Sequence, residues 1–452
     1  GIAASRLAVR LGYQVYVWDD FKVKEDVPSD LQNCPQIVFL AAESGTLSHQ
    51  TLTKLSCLDA YLVASPGIVE EGATYQALLN ACHHKQLSEV DLALPHINKP
   101  VLAITGTNGK SSMCAMIRHG FLQLGIDLKI MGNYGYPVSQ VACDELQQGL
   151  DNKKKDVSCG YIMEISSFQL AHSYLLTSPV CVITNLSPSH LNRHHSPEQY
   201  YRVKWRIIES ENRTASWSSG FPVLITTPAV LEIQKEFDLF LGDYQPKTVC
   251  EDQSVLIAKK MAFLAVKYFA QYLFQVKGQD LRAYESISSQ IDASAYLELF
   301  KDFVGLPHRC ERVPTQLPDV MVINDSKATN WAATIFALKE FVGVKTLLIL
   351  GGIPCASSRL DVSSFDCVSY VVIFGRHRNQ ILSQIITAKN HTVVLIATLD
   401  ELTGVGGGYI TDYLRVNHIK CILFSPGGES YDAYRSFIDR GNHFKRVIAS
   451  LS

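Results

Sequence analysis

The chain has 452 residues, of which 47% are hydrophobic and 19% are charged, and its formal net charge is −2 at pH 7. This length exceeds what a single hydrophobic core serves and predicts about three domains. A near-neutral net charge excludes binding to nucleic acid or to an anionic membrane through overall positive charge. The 12 cysteines form neither C-x-x-C pairs nor clusters with zinc-binding spacing. We therefore expect reduced thiols and a cytoplasmic location.

The longest apolar stretch, residues 255–274, is interrupted by Lys259, Lys260 and Lys267. A membrane-spanning helix needs about 20 predominantly apolar residues. This stretch therefore predicts an amphipathic or buried helix rather than a membrane span.

Residues 1–93 alternate between helical patterns and short apolar runs, which predicts a Rossmann-like α/β domain. Its first helix, at 2–12, is followed by an apolar strand that ends in Asp19 and Asp20. A helix and a strand with an acidic end form the second half of a dinucleotide-type βαβ unit. We therefore expect that the first strand of this unit and its glycine turn are missing from the sequence.

A phosphate-binding pattern begins the next segment, where the apolar run 101–105 leads into a glycine-rich loop and then into a helical pattern at 112–118. Glycines in such a loop let backbone N–H groups point at an anion, a lysine reaches the terminal phosphates, and a hydroxyl ligates Mg²⁺. The dipole of the following helix favours the same anion. We predict an ATP-binding domain at 94–304, with nucleotide contacts from Gly106, Thr107, Asn108, Gly109, Lys110, Ser111 and Ser112.

Polar side chains follow two further apolar strands of this domain. Glu164 closes one strand, His190 lies in the polar segment after the next, and Lys204 follows within a helical pattern. The carboxyl ends of parallel strands line the ligand crevice of such sheets, and a carboxylate there suits Mg²⁺. Taken singly, Glu164 also fits a helix-capping acid, His190 a structural hydrogen-bonding group and Lys204 a surface lysine.

The alternation of strands and helices restarts near residue 305, which predicts a third domain, Rossmann-like, at 305–452. The fold class is therefore α/β. The strands of this third domain are expected at 320–324, 346–350, 370–374, 393–396 and 421–424.

In combination these motifs resemble the Mur ligase family of ATP-dependent acid–amino-acid ligases. The phosphate loop is shared with related amide ligases such as folylpolyglutamate synthases, whereas the runs 166–170 and 325–330 resemble the members that add D-glutamate. Further similarity covers nearly the whole chain and lies at 65–68, 132–135, 306–309 and 425–432.

The resemblance implies a three-domain architecture and a cytoplasmic, monomeric enzyme of peptidoglycan precursor synthesis. ATP would phosphorylate the carboxylate of UDP-N-acetylmuramoyl-L-alanine, and the amine of D-glutamate would attack the acyl phosphate. Two Mg²⁺ ions are implied, because a phosphoryl group and a carboxylate repel each other as they approach.

The resemblance also assigns roles to single residues. Lys110, His190 and Lys204 would be catalytic, with Lys204 carbamylated so that it becomes an anionic oxygen ligand. Ser111 and Glu164 would hold one Mg²⁺ ion, and His190 with Lys204 the second. The remaining contacts implied are Arg309 and Asp325 for the nucleotide, Asp19, Asp20, Gly67 and Asn133 for the UDP-linked substrate, and Lys327, Thr329, Ser430 and Phe437 for substrate binding in the last domain.

The sequence departs from the family pattern in three places. The run 351–358 lacks the lysine with which the family binds the glutamate carboxylate, and Arg359 or an arginine of 376–378 could in principle replace that charge. Ser189 replaces an aspartate, and 251–255 differs from the family's adenine-binding run. Two alternatives stay open: a folylpolyglutamate synthase-like ligase, a family that lacks a domain like residues 1–93, and a non-catalytic homologue that binds UDP-sugar or ATP.

Overall fold

The structure is a computed structural model in which helices alternate with mostly parallel strands, and this confirms the predicted α/β class. By contacts between Cα atoms the chain divides into two compact units, one with Gly1–Cys250 and Lys259–Lys301, the other with Glu251–Ala258 and Asp302–Ser452. The domain boundaries after residues 93 and 304 stay predictions. The structure describes residues 1–19, 27–40, 47–68, 70–150, 158–209, 221–239, 241, 244–249, 254–277, 295–354, 359–389, 391–403, 414 and 417–451.

Residues 1–93 form short helices and strands, and the strands pair in parallel as two separate two-stranded sheets. The elements are α1 (Ile2–Arg10), β1 (Val15–Val17), α2 (Ser29–Gln32), β2 (Ile37–Phe39), α3 (His49–Ser56), β3 (Leu62–Val63), α4 (Ala73–Ala81), β4 (Gln86–Leu87) and α5 (Glu89–Ala93).

The rest of the first unit is built around a six-stranded sheet in which every pair of neighbours is parallel. Its elements are β5 (Val101–Thr105), α6 (Lys110–Gln123), β6 (Lys129–Gly132), α7 (Val138–Leu150), β7 (Tyr161–Glu164), α8 (Ser167–Leu170), β8 (Val180–Ile183), α9 (Leu191–His194), α10 (Pro197–Trp205), β9 (Val223–Thr226), α11 (Pro228–Glu236), β10 (Gln245–Thr248), α12 (Ser254–Lys277), whose first residues up to Ala258 are assigned to the other unit, and α13 (Ala295–Leu299).

The strand order in this sheet is β10-β9-β8-β5-β7-β6, so β5 lies inside the sheet between β8 and β7. Every residue of β5, β7 and β8 is buried, as expected for parallel strands covered on both faces. After β5 the chain crosses to one side of the sheet and later returns to the other. Such a reversal of strand order leaves a crevice at the carboxyl ends of the strands, and the phosphate loop follows β5 there.

The second unit contains another six-stranded sheet, with the order β11-β12-β18-β13-β15-β17. Only the edge pair β11 and β12 is antiparallel. The elements are β11 (Glu311–Val313), β12 (Met321–Asn324), α14 (Trp331–Lys339), β13 (Thr346–Gly351), β14 (Leu360–Asp361), β15 (Val368–Phe374), α15 (Arg378–Gln384), β16 (Ile385–Ile386), β17 (Thr392–Ile396), β18 (Cys421–Gly427) and α16 (Phe437–Ala449), with β14 and β16 paired separately.

The long helix α12 confirms the helix predicted at 255–274, and its residues Met261, Val266 and Phe269 are buried. Within the part of the chain that the structure describes, no helix is long and apolar enough to cross a lipid bilayer.

Candidate active site

The loop between β5 and α6 has a backbone that only glycine fits. Gly106 and Gly109 have φ angles of +144° and +80°, a region that L side chains rarely adopt. A Cβ atom added at Gly106 would lie 1.9 Å from the Thr184 hydroxyl oxygen. The segment after β8 holds the loop, because the Asn185 backbone carbonyl accepts from Thr107 N at 2.9 Å and its side-chain oxygen accepts from Asn108 N at 3.0 Å.

Two lysine amines meet at this loop. Lys110 begins α6 and its Nζ donates to the carbonyl oxygens of Gly106 and Thr107, both at 2.9 Å. The Nζ of Lys204, from α10, donates to the same Gly106 oxygen at 2.8 Å. The structure therefore brings together two of the predicted catalytic residues, which lie far apart in the sequence.

Lys204 is 1% exposed, although its position in a helix also fitted a surface lysine. Pro197 and the Ser196 cap begin α10, and the helix then directs Lys204 to within 4.8 Å of the Tyr200 ring centre. Burial lowers the pKa of Lys204 well below its usual value, and the nearby charge of Lys110 acts in the same direction, whereas Glu164 opposes it. The amine is therefore poised to lose its proton more easily than an ordinary lysine.

A set of oxygen donors lies beside this loop. The Ser111 hydroxyl donates to Glu164 Oε2 at 2.5 Å, and the Asn133 amide donates to Glu164 Oε1 at 2.8 Å. Among the described residues there is no group of three or more His, Cys, Asp or Glu side chains placed to hold a metal ion. One carboxylate and one hydroxyl nevertheless fit Mg²⁺, which commonly takes one or two protein carboxylates and completes its octahedron with water and substrate phosphates.

The third predicted catalytic residue is His190, whose ring belongs to an aromatic cluster with Phe168 and Tyr200. Its backbone has a φ of +54°, and its ring centre lies 5.0 Å from Phe168 and 6.4 Å from Tyr200. The Tyr200 hydroxyl donates to the Thr107 side chain at 3.2 Å. Tyr200 therefore contacts the phosphate loop, His190 and Lys204 together, a role that sequence reasoning missed because a tyrosine in a helical pattern is usually core.

His194 is a second histidine of this cluster. It is buried, whereas His190 is exposed. Its ring stacks on Phe168 at 5.7 Å, and its Nε2 lies 3.1 Å from the Ser167 hydroxyl. Burial, together with the charges of His190 and Lys204, lowers the pKa of His194 to about 4. A neutral ring that packs under Phe168 positions the aromatic cluster rather than exchanging protons near neutral pH.

Three of the four predicted contacts for the UDP-linked substrate lie in residues 1–93, and the fourth, Asn133, contacts Glu164 as described above. Asp19 is exposed just after β1, and Gly67 is exposed in the loop after β3, whereas Asp20 lies outside the described residues. Beside Gly67, Arg193 donates to the Ile68 carbonyl oxygen at 2.7 Å and to Glu70 at 2.5 Å. The Gly67 loop is thus tied to the segment that carries His190.

In the second unit Asp325 follows β12 and is buried. Its carboxylate accepts from the Ser425 hydroxyl at 2.9 Å and from Cys310 N at 3.2 Å. Burial is the main cause that raises the pKa of Asp325 to about 7, while its hydrogen bonds and the nearby Arg309 oppose the shift. The predicted pair of Arg309 and Asp325 is therefore brought together.

The predicted amino-acid contacts lie on neighbouring segments of the same unit. The Lys327 amine lies 4.2 Å above the ring centre of Phe437, and Lys327 N donates to the His308 carbonyl oxygen at 3.0 Å. Ser430 is buried in a short turn after β18, and Thr329 is half-buried just before α14.

Arg440 connects these segments, and sequence reasoning missed it. Its guanidinium is 0% exposed and donates to the Ser326 carbonyl oxygen at 2.7 Å, the Ser326 hydroxyl at 3.2 Å and the Gly428 carbonyl oxygen at 2.8 Å. The Ser326 hydroxyl in turn donates to the Phe437 carbonyl oxygen at 2.8 Å. The loop with Lys327, the loop before Ser430 and the start of α16 are thereby held to one another.

Comparison with known proteins identifies the family. A family model described as the Mur ligase middle domain matches residues 104–217. The chain is 30% identical over 381 residues to the UDP-N-acetylmuramoylalanine–D-glutamate ligase of Pseudothermotoga lettingae, a match that covers 82% of this chain and 81% of that protein. The chain belongs to the Mur ligase family.

Other proteins match over a greater length. The enzyme with the same name from Cytophaga hutchinsonii is 26% identical over 487 residues, which covers all of this chain and 97% of that protein. Among solved structures, a pseudomurein peptide ligase type C from Methanothermus fervidus matches with a TM-score of 0.48 and 14% identity, and the match covers 100% of this chain and 97% of that one.

The two altered runs of this Mur ligase lie mostly outside the described residues, since 251–253 and 355–358 are not described. Ser189, the third departure, is half-buried beside His190.

Proposed function

We propose that this chain is an ATP-dependent ligase that joins D-glutamate to UDP-N-acetylmuramoyl-L-alanine through an acyl phosphate, in peptidoglycan precursor synthesis. The observation that carries the proposal is the convergence of Lys110 and Lys204 on the Gly106 loop beside the pair Ser111 and Glu164, in a chain whose full-length relatives bear that enzyme name. The reaction consumes ATP and a nucleotide-linked sugar, so we assign the enzyme to the cytoplasm. We also propose that it acts as a monomer.

ATP binds at the loop through backbone N–H groups and the N-terminus of α6, with Gly106 to Ser112 around its phosphates. The side chain of Lys110 places its positive charge at the terminal phosphates. Ser111 and Glu164 would hold one Mg²⁺ ion, and His190 with carbamylated Lys204 would hold the second; metal bound there would offset the negative charge of the phosphates and of the substrate carboxylate. Arg309 and Asp325 are further contacts of the nucleotide.

The burial of Lys204 supports its proposed carbamylation. A buried amine without a carboxylate in hydrogen-bonding contact is costly as a cation, so the neutral form that reacts with CO₂ is favoured. Carbamylation converts the amine into an anionic group with two oxygens. The Tyr200 ring centre lies 4.8 Å from the Lys204 amine and therefore borders the space that the carbamate would occupy.

The residues act in two chemical steps. An oxygen of the substrate carboxylate attacks the γ-phosphorus of ATP, the bond to the bridging oxygen breaks, and ADP leaves with the charge that Lys110 stabilises. The neutral amine of D-glutamate then attacks the acyl carbon, a tetrahedral intermediate collapses, phosphate leaves and the amine loses a proton. Asp19, Asp20, Gly67 and Asn133 bind the UDP-linked substrate, and Lys327, Thr329, Ser430 and Phe437 bind the amino acid.

A direct assay tests the proposal. Purified protein is incubated with ATP, Mg²⁺ and UDP-N-acetylmuramoyl-L-alanine, and phosphate release is measured with and without D-glutamate while mass spectrometry follows the nucleotide product. We expect release that depends on D-glutamate, with a product heavier by one glutamate residue. Activity only with a folate substrate would favour the folylpolyglutamate synthase-like alternative, and nucleotide binding without any turnover would favour the non-catalytic one.

A further inference from the structure

The carboxyl ends of three neighbouring strands lie together in the second unit. Gly351 at the end of β13 is in register with Phe374 of β15 on one side and with Gly427 of β18 on the other. In an open parallel sheet, ligands bind in the crevice outside these strand ends. The segments that follow the three strands are therefore the ones that can reach an amino acid bound there.

The turn that carries Ser430 lies against the end of β15. A Cβ atom added at Gly375, whose φ is +96°, would lie 3.1 Å from a carboxylate oxygen of Asp432, two residues after Ser430. The backbones of Ile353 and Glu429 exchange hydrogen bonds of 2.8 and 2.9 Å, which hold the approach to Ser430 beside the segment after β13. Arg376 follows Gly375 directly, so its backbone lies next to the residue that approaches Asp432 of this turn.

Several cations of this region are engaged elsewhere, whereas Arg376 and Arg435, which follows the turn with Ser430, are exposed. Lys327 stacks on Phe437, Arg440 is fully buried among three acceptors, and Arg378 donates to the Gly375 carbonyl oxygen at 3.0 Å. Arg376 is exposed, and its side chain makes no hydrogen bond or ion pair to any residue within the described ranges. Its guanidinium is therefore available to a ligand.

The same strand ends carry negative charge. Glu429 is exposed next to Ser430, and Asp432 has both carboxylate oxygens buried without a hydrogen-bond partner among the described residues. The buried Arg440 interacts electrostatically with Asp432, whereas the exposed Glu429 would repel the second carboxylate of an amino acid unless an exposed cation lay nearby.

From this geometry we propose that Arg376 binds the side-chain carboxylate of the incoming amino acid and thereby sets the preference for a dicarboxylic substrate. The proposal rests on the function proposed above. A guanidinium binds a carboxylate through two parallel N–H···O bonds, which gives it geometric selectivity as well as charge. The structure thus favours Arg376 over Arg359, which precedes β14 in a separate two-stranded sheet, as the cation that the sequence leaves unassigned.

The test compares three variants with the same change of side chain. Arg376→Gln removes the proposed contact, Arg359→Gln removes the competing arginine, and Arg312→Gln is the matched control, an exposed arginine of the edge strand β11. For each full-length protein, KM and kcat are measured with D-glutamate and with D-glutamine, which has the same shape without the side-chain charge. KM values for ATP and UDP-N-acetylmuramoyl-L-alanine are measured alongside.

We expect Arg376→Gln to raise the KM for D-glutamate about tenfold to a hundredfold, the effect of losing a charge-assisted hydrogen bond. The KM for D-glutamine and for the other two substrates should stay near the wild-type values, so the preference for D-glutamate falls by the same factor. An unchanged preference in Arg376→Gln, or a loss seen in Arg359→Gln instead, would overturn the proposal. A wild-type enzyme without turnover on D-glutamate would overturn the proposed function as well.

Discussion

Lys110 and Lys204 donate to one and the same atom, the carbonyl oxygen of Gly106, at 2.9 and 2.8 Å. Two ammonium groups this close repel each other, and the pair relieves the repulsion most readily by deprotonating the amine whose charge is most desolvated. Lys204 is that buried one, so Lys110 is the amine that carries the charge. A phosphate bound in the loop offers Lys110 a stronger partner than a backbone carbonyl, which suits the division of roles between the two lysines.

Lys110→Ala is expected to lower kcat at least about a hundredfold, because it removes positive charge from the phosphoryl group in the transition state. The melting temperature should stay near the wild-type value, since the lost hydrogen bonds go to the loop's own carbonyl groups. Steady-state phosphate release and a thermal melt measure the two effects. Lys235→Ala, at an exposed position of α11, is the control and should change neither; near-normal turnover in Lys110→Ala would refute the assignment.

Lys204→Ala is expected to be nearly inactive, because the carbamate that supplies anionic oxygens is lost. Short carboxylates such as acetate or propionate should restore part of the turnover by occupying the vacated space. The comparison is Lys204→Met, which keeps the volume and leaves no room for a carboxylate, so added acid should not rescue it. Equal rescue of both variants, or full activity of Lys204→Ala, would contradict a carbamate at this position.

The fold and the phosphate loop were predictable because their signals are local. Four consecutive apolar residues followed by Thr105 form the buried strand β5, and the positive φ angles at 106 and 109 require glycine within the loop itself. The nine-residue helix α10 was likewise signalled by its own sequence, with Pro197 at its start. Where local propensity and pattern agree, a single sequence is sufficient.

The parts of the site that sequence reasoning missed depend on contacts between distant segments. Arg440 lies in an amphipathic helix, where an arginine is usually solvated, yet its partner Ser326 is 114 positions away and the side chain is fully buried. Tyr200 meets Thr107 across 93 positions. Neither contact leaves a periodic pattern in the sequence, because each joins segments that meet only in the folded structure.

Arg440→Lys is expected to lower the free energy of unfolding by about 2–4 kcal/mol, because an ammonium group reaches fewer of the three acceptors than a planar guanidinium and leaves buried carbonyl oxygens unpaired. Urea denaturation of the full chain measures the change. Arg446→Lys is the control, since Arg446 is exposed on the same helix and should alter stability by no more than about 0.5 kcal/mol. A loss no larger than that of the control would show that Arg440 does not hold the loops together.

The titration of Asp325 lowers the stability of the protein as the pH rises, whereas the titration of a salt-bridged acid increases it. Burial raises the pKa of Asp325 to about 7 in the folded state, whereas an unfolded aspartate loses its proton near pH 4. Between these values the folded state binds more protons than the unfolded state. The contribution of Asp325 to stability is therefore fully present below about pH 4 and is lost as the pH rises towards 7.

Asp325→Asn removes this titration, so its stability relative to the wild type should increase between about pH 4.5 and about pH 7.5, by at most about 4 kcal/mol, and level off above that range. Urea denaturation at both pH values gives the free energy of unfolding of each protein. Subtracting the wild-type value from the variant value at each pH removes the contributions of all other titrating groups. Asp302→Asn, at an exposed position of the same unit, is the matched control and should give the same difference at both pH values. A difference between Asp325→Asn and the wild type that does not change with pH would mean that Asp325 is already ionised throughout this range, held so by Arg309 and its two hydrogen bonds.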